Sequence, residues 1–280
     1  QAKGFWEAFW QDGQTMLSGL STGLQARPAL LLVAAFTGLA ALSAGLFLNQ
    51  PMRYDESYTV VVFASRPLRY AISDYHLPNN HVFHTFLVHL AYNWLGNAPW
   101  MVRLPAFLAG VLSVPAVYLA ASRLYNRPTA VLSAGLLASS GVLADYATNA
   151  RGYTLIALFA LLALALGAEV RARKNRFAWL LLIIVSALGF YTIPIMLYPF
   201  GLVFTWLFLS ALVGDVDPRY GRWGFIGYLI AAGLLTGLLS ALLYTPVFLT
   251  SGVQSLVGNG FVTAEEWGSF SETIFLRFRN

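Results

Sequence analysis

Long apolar blocks decide what this chain can become. Runs of about 16 to 25 mostly uncharged residues recur along it, the clearest at 28–48, 101–121, 128–144, 153–170, 177–191, 194–213 and 223–248. Wound as α-helix at about 1.5 Å per residue, a block of that length crosses a hydrocarbon layer about 30 Å thick. The strands of a membrane barrel would instead alternate in runs of about ten residues. Composition agrees: 58% of the chain is hydrophobic and 10% charged, where soluble domains carry about 25% charged residues. The expected class is an all-α polytopic membrane protein.

One apolar segment, 82–96, is ambiguous. At about 15 residues it would rise roughly 22 Å, short of the hydrocarbon thickness, and it contains His84, His89 and Asn93. The basic clusters arbitrate. Arg123/Arg127, Arg171/Arg173/Lys174/Arg176 and Arg219/Arg222 belong in cytoplasmic loops by the positive-inside rule. If 82–96 spanned, they would be thrown outside. If it lies in the interface, all three fall inside together with Lys3 and Arg27. This predicts a bundle of about seven spans, N-terminus inside, with interfacial juxtamembrane helices in the first exterior loop.

The domain organisation follows. Residues 1–27 carry Phe5, Trp6, Phe9, Trp10, Met16 and Leu20 and predict an amphipathic interfacial helix. Residues 28–248 form the membrane core, and 249–280 an exterior loop. The chain starts without Met and ends in a loop, so a piece of a longer chain is expected. The net charge of +5 sits in the short basic loops, where it acts as a topology signal and argues against nucleic-acid binding. With no cysteine, the chain has no disulfide and no thiolate metal site.

The topology sends the loops 49–100, 144–152, 191–194 and 249–280 to the exterior or periplasmic side. Asp55, Glu56, His81, Asp145 and Arg151 then gather on one face. Asp55-Glu56 follows the first span; such acids either cap a helix or, at head-group level, supply a general base or cation ligand. Asn79-Asn80-His81 opens the 82–96 helix, where an Asn is an ordinary N-cap and the positive helix end also suits a phosphate. Asp145 to Tyr153 joins two spans; Arg151 brings the planar donor fork that fits phosphate. Gly152 permits close approach, and Tyr153 is either an interfacial anchor or a ligand contact.

Taken in order, Tyr54-Asp55-Glu56, Asn79-Asn80-His81, Arg103-Leu104-Pro105, Ser122-Arg123-Leu124-Tyr125 and Ala150-Arg151-Gly152-Tyr153 resemble the GT-C superfamily of glycosyltransferases. The likeness is to protein O-mannosyltransferase-like enzymes and lipid A aminoarabinose transferases. It departs at His81-Val82-Phe83, where the family often has His-Pro-Pro, and at Thr148-Asn149-Ala150-Arg151, where it has Gln-Glu-Ala-Arg. The resemblance implies an integral membrane enzyme, expected in a bacterial inner membrane, that moves a sugar from a polyprenyl-phosphate donor to an acceptor hydroxyl at the outer face. It makes Asp55, beside Glu56, the catalytic acid position, with Asn80, His81, Asp145, Arg151 and Tyr153 binding substrate. The acceptor is a protein, glycolipid or polysaccharide. The resemblance fixes no cofactor and leaves the need for a metal open; a divalent cation near Asp55 and Asp145 is the one candidate, and its ligands are unknown. Two other classes compete: a transporter or flippase for a lipid-linked or polar substrate, and a non-catalytic membrane scaffold.

Overall fold

The computed structural model describes residues 4–23, 27–257, 271–272 and 275–276. Over these described residues it is all-helical, 81% helix without strands. An N-terminal helix α1 (Phe5–Gly23) precedes α2 (Arg27–Gly45). Three short elements follow: α3 (Tyr54–Tyr58), a π-helical turn (Thr59–Ala64) and α4 (Leu68–Ser73). Then come α5 (Val82–Leu95), α6 (Pro99–Leu124), α7 (Arg127–Ala138), α8 (Gly141–Ala147), α9 (Tyr153–Ala172), α10 (Arg176–Thr192), α11 (Leu197–Val213), α12 (Arg222–Ser251) and α13 (Gln254–Val257). The segment expected to form an exterior loop, 249–280, lies outside the described residues over 258–270, 273–274 and 277–280.

Among the described residues five helices are long and apolar enough to cross a membrane: α2, α6, α9, the 194–213 segment that includes α11, and α12. The pair α7 and α8 counts as a sixth if it is one broken span, bent by 58°. The break falls at Ser139-Ser140-Gly141, where Ser140 Oγ accepts the Leu143 amide at 3.3 Å and restarts the helix. The remaining apolar block became α10, a 17-residue helix, which rises about 25 Å. Its first turn meets α1, and its last residue lies beside Gly152. It therefore runs between the same two ends of the bundle as its neighbours. The 82–96 block is α5, 14 residues long, and does not qualify as a span.

Packing explains why α6 and α9 are the centre. The buried face of α6 is Val102, Ala106, Ala109, Gly110, Ser113, Val114 and Ala120, mostly small side chains that let backbones approach closely. A Cβ at Gly110 would lie 2.8 Å from Ala147 Cβ, so α8 packs directly on that glycine. On the outside, Leu31, Leu42, Leu202, Leu234, Leu238 and Leu242 are exposed, as expected of surfaces solvated by lipid.

The two ends of the bundle differ sharply. At one, Asp217 accepts from the Lys174 amide at 2.8 Å and from Arg219 Nη2 at 2.6 Å, and Arg123 pairs with Glu169 at 3.2 Å. Asp12 of α1 joins this end by accepting the Arg176 amide at 2.9 Å. At the other end stand α3, α4 and the starts of α5, α6 and α9.

Candidate active site

The site is built from the residues that leave α2 and return at α9. Glu56, third residue of α3, reaches back to accept the Arg53 amide with Oε2 at 3.1 Å, an N-terminal helix brace. Its main partner is Arg103 of α6: Nε lies 2.6 Å from Oε1 and Nη2 2.7 Å from Oε2, and both side chains are 0% exposed. Glu56 Oε1 also accepts the Ala150 amide at 2.9 Å. Arg103 donates further to the carbonyls of Leu48, Gln50 and Pro51 at 2.7, 2.8 and 3.2 Å. Two side chains thus fasten the end of the first span, α3, α6 and the 148–152 loop to one another.

That fastening presents Asp55 and Arg151 to each other. Asp55 is next to Glu56, so on a helix it points about 100° away from the buried pair and remains 42% exposed. Its Oδ2 lies 3.5 Å from Arg151 Nε. Arg151 is itself buried and held from three sides: Nη1 donates to Thr59 Oγ1 at 3.0 Å and to the Asn79 carbonyl at 2.7 Å, and Nη2 lies 3.1 Å from His81 Nε2. Thr59 opens the π-helical turn, and such turns often carry functional side chains. Tyr54, Asp55, Tyr58, Leu77, Pro78, Asn79 and Arg151 line a single cleft of about 340 Å³, within the range of about 300–1,000 Å³ usual for small-molecule sites.

His81 is the N-cap residue of α5, and its hydrogen positions follow from its partners. The Gly152 amide donates to Nδ1 at 2.9 Å, so the neutral ring carries its proton on Nε2. Burial, with Arg151 and then His84 adding to it, holds its pKa well below the ordinary histidine value. The Nε2–H therefore faces Arg151 Nη2, a donor opposite a donor. A Cβ at position 152 would sit 2.6 Å from Thr192 Cγ2 and 3.2 Å from His81 Nδ1, which is why glycine stands there.

The other expected site residues lie nearby in different settings. Asp145 pairs with Arg53 through both guanidinium nitrogens at the rim and does not line the cleft. Asn80 is buried and braces the backbone, Nδ2 donating to the carbonyls of Asp74 at 2.7 Å and Ala71 at 3.2 Å. Tyr153 packs edge-on against His81 at 5.0 Å and under the Arg151 guanidinium at 5.8 Å. Asp55, Glu56 and Asp145 each face a different arginine. Among the described residues no group of three or more His, Cys, Asp or Glu side chains comes together to hold a metal.

Residues 80–211 match the profile of the dolichyl-phosphate-mannose-protein mannosyltransferase family. This match supports a GT-C glycosyltransferase. It agrees with the family resemblance read from the sequence, and with the apolar helices it supports an integral membrane protein. The matched segment contains His81, Arg103, Asp145, Arg151 and Tyr153, while Asp55 and Glu56 lie before it. No curated protein and no solved structure matches the chain.

Sequence reasoning missed Arg103, Tyr58, Thr59 and Asn79 as members of this assembly. Arg103 did carry a signal: it is a charge one turn inside an otherwise apolar helix, and intramembrane charges need partners. Thr59 carried none, and Asn79, though part of the Asn79-Asn80-His81 motif, contributes a backbone carbonyl that no side-chain pattern reveals.

Proposed function

We infer that this protein transfers a sugar from a polyprenyl-phosphate donor to an acceptor hydroxyl, and that the reaction takes place in the cleft between Asp55 and Arg151. The single observation behind this reading is the meeting of a part-exposed carboxylate and a buried, oriented guanidinium on the wall of one cleft, at the end of the bundle away from the basic loops. By the positive-inside rule that end faces the periplasm or exterior.

Arg151 would take the donor phosphate. The opposed donors of His81 Nε2–H and Arg151 Nη2–H support this assignment, since one anionic oxygen between them accepts from both. Positive charge fixed at the leaving phosphate stabilises the negative charge that grows as the glycosidic C–O bond breaks. Asp55 would accept the proton of the attacking hydroxyl. The donor must part the Asp55–Arg151 pair on entry, placing the anomeric carbon between base and leaving group. A single displacement in that geometry inverts the anomeric centre. Glu56, whose oxygens are spent on Arg103 and two backbone amides, would position Asp55 and not itself react.

The test uses purified full chain with a radiolabelled polyprenyl-phosphate sugar. Label appearing on an acceptor or as free sugar, and lost in Asp55→Asn, is the expected result. Movement of intact donor between vesicle leaflets without cleavage, equal in Asp55→Asn, would favour the transporter class and overturn this reading.

A further inference from the structure

Beside the cleft, three side chains form a hydrogen-bonded chain that the transfer chemistry above does not use. Tyr58 ends α3, three residues after Asp55, and positions so spaced share a helix face; both line the cleft. The Tyr58 hydroxyl lies 3.0 Å from His76 Nε2, and His76 Nδ1 lies 2.5 Å from Asp74 Oδ1. The turn that carries His76 and Asp74 is pinned. Asp74 Oδ1 accepts the His76 amide at 3.2 Å, and its carbonyl accepts from Asn80. The intervening Tyr75 is buried and donates its amide to Ser251 Oγ at 2.9 Å, tying the turn to the end of α12. Phe63 packs against the imidazole with centroids 5.6 Å apart.

This order fixes the protons. An ionised carboxylate only accepts, so Asp74 takes the Nδ1–H of His76 and selects the tautomer with a bare Nε2. The bare nitrogen accepts a hydrogen bond from the Tyr58 hydroxyl. Tyr58 therefore meets the cleft as an acceptor, its one proton turned toward the imidazole. Asp55, on the same helix face, is also acceptor-only when ionised. A ligand that satisfies both must bring two donor protons: neighbouring hydroxyls of one sugar supply them from a single ring, whereas a serine or threonine side chain supplies one and needs a suitably placed backbone amide for the second. Tyr54 and Tyr58, with ring centroids 6.5 Å apart, and the neighbouring Leu77 and Pro78 add apolar surface for the carbon face of such a ligand.

We propose that Asp74, His76 and Tyr58 form an acceptor subsite that selects a polyhydroxylated acceptor, a sugar or other polyol, over the single hydroxyl of a serine or threonine peptide. This rests on the transfer reading above. The attacking hydroxyl gives its proton to Asp55 while its oxygen bonds to the anomeric carbon and the phosphate leaves with the bonding pair. A second hydroxyl of the same acceptor donates a hydrogen bond to Tyr58 Oη, and no proton passes to His76.

Two measurements on the full chain test it. The first compares transfer to a methyl glycoside and to a serine peptide; the second measures binding of the glycoside alone by calorimetry. Wild type should favour the glycoside. Tyr58→Phe should raise the glycoside KM about tenfold and lower the glycoside-to-peptide ratio by a similar factor. His76→Ala should do the same, and His76→Gln, whose amide oxygen can accept the phenolic proton, should restore most of the preference. A structural role alone would not produce that rescue. A wild-type preference for the peptide, or a Tyr58→Phe glycoside affinity within twofold of wild type, overturns the subsite. If no donor turns over but glycoside binding is still lost in Tyr58→Phe, the subsite stands and the transfer reading falls.

Discussion

Glu56 and Arg103 meet fork to fork, at 2.6 and 2.7 Å, with neither side chain reached by solvent. The pair sits directly behind Asp55 and joins four separate stretches of chain. Removing one member of a buried ion pair leaves a charge without its partner and costs about 3–5 kcal/mol. Glu56→Ala and Arg103→Ala should each lower the unfolding midpoint of the purified protein strongly. Arg103→Ala should do more damage, because three backbone carbonyls lose their donor with it. A thermal unfolding series in one detergent checks both.

Asp55→Asn should leave that unfolding midpoint near the wild-type value, since the side chain is part-exposed and makes one long ionic contact. Its effect belongs to the base role proposed above. General-base catalysis contributes about 10²–10⁴-fold, so initial rates of sugar transfer should fall by at least about a hundredfold.

Arg151→Lys keeps the charge and loses the fork. The guanidinium is held by Thr59, Asn79 and His81 at once, an arrangement a single ammonium cannot reproduce. Transfer should drop at least tenfold, with a raised KM for the lipid-phosphate donor.

Gly152→Ala introduces a Cβ that meets Thr192 Cγ2 at 2.6 Å. The α9 start must shift, and with it the Gly152 amide that sets the His81 tautomer. Donor affinity should weaken, and Thr192→Ser, which removes the clashing methyl group, should restore part of it in the double variant. Titration with a non-hydrolysable donor analogue measures both.

The pH dependence of stability should be dominated by two histidines. His81 is held well below the ordinary value by burial, then by Arg151 and His84; His84 is lowered to about 3, by burial and then by Arg151. Neither ring nitrogen of His84 has a hydrogen-bond partner among the described residues. Below the ordinary value of about 6.5 the unfolded chain binds protons that the fold refuses. Their contribution is therefore complete above about pH 6.5 and is lost as pH falls toward 3, by at most about 1.4 kcal/mol per pH unit for each ring. Asp217, held below the usual carboxylate range by its hydrogen bond to Arg219, is lost only at more acid pH, below about 4. His84→Leu should flatten the decline between pH 6.5 and 5 in thermal unfolding.

Much of this was legible in the residues. Hydrophobic block length places the helices within a few residues, and charge sorts α5 from the spans. The same charge reading gathers Asp55, His81 and Arg151 at one end, where the structure brings Asp55 within 3.5 Å of Arg151 and His81 within 3.1 Å of it. What pattern does not reveal is which polar residue faces which. Asp145 turns to Arg53 and Asn80 to backbone carbonyls, because partner choice depends on loop paths that carry no period. The 58° break between α7 and α8 was hidden for a related reason: Ser139-Ser140-Gly141 is compatible with a continuous apolar run.

Arg151 stands two residues before α9, whose packing against α6 is the most extensive of any helix pair among the described residues. Its position is inherited from the hardest part of the molecule to deform. Tyr58, His76 and Leu77 sit instead on short connecting segments between α2 and α5. Natural variants that recognise a new acceptor should accordingly differ in those segments, while the Arg151 end of the cleft stays as it is.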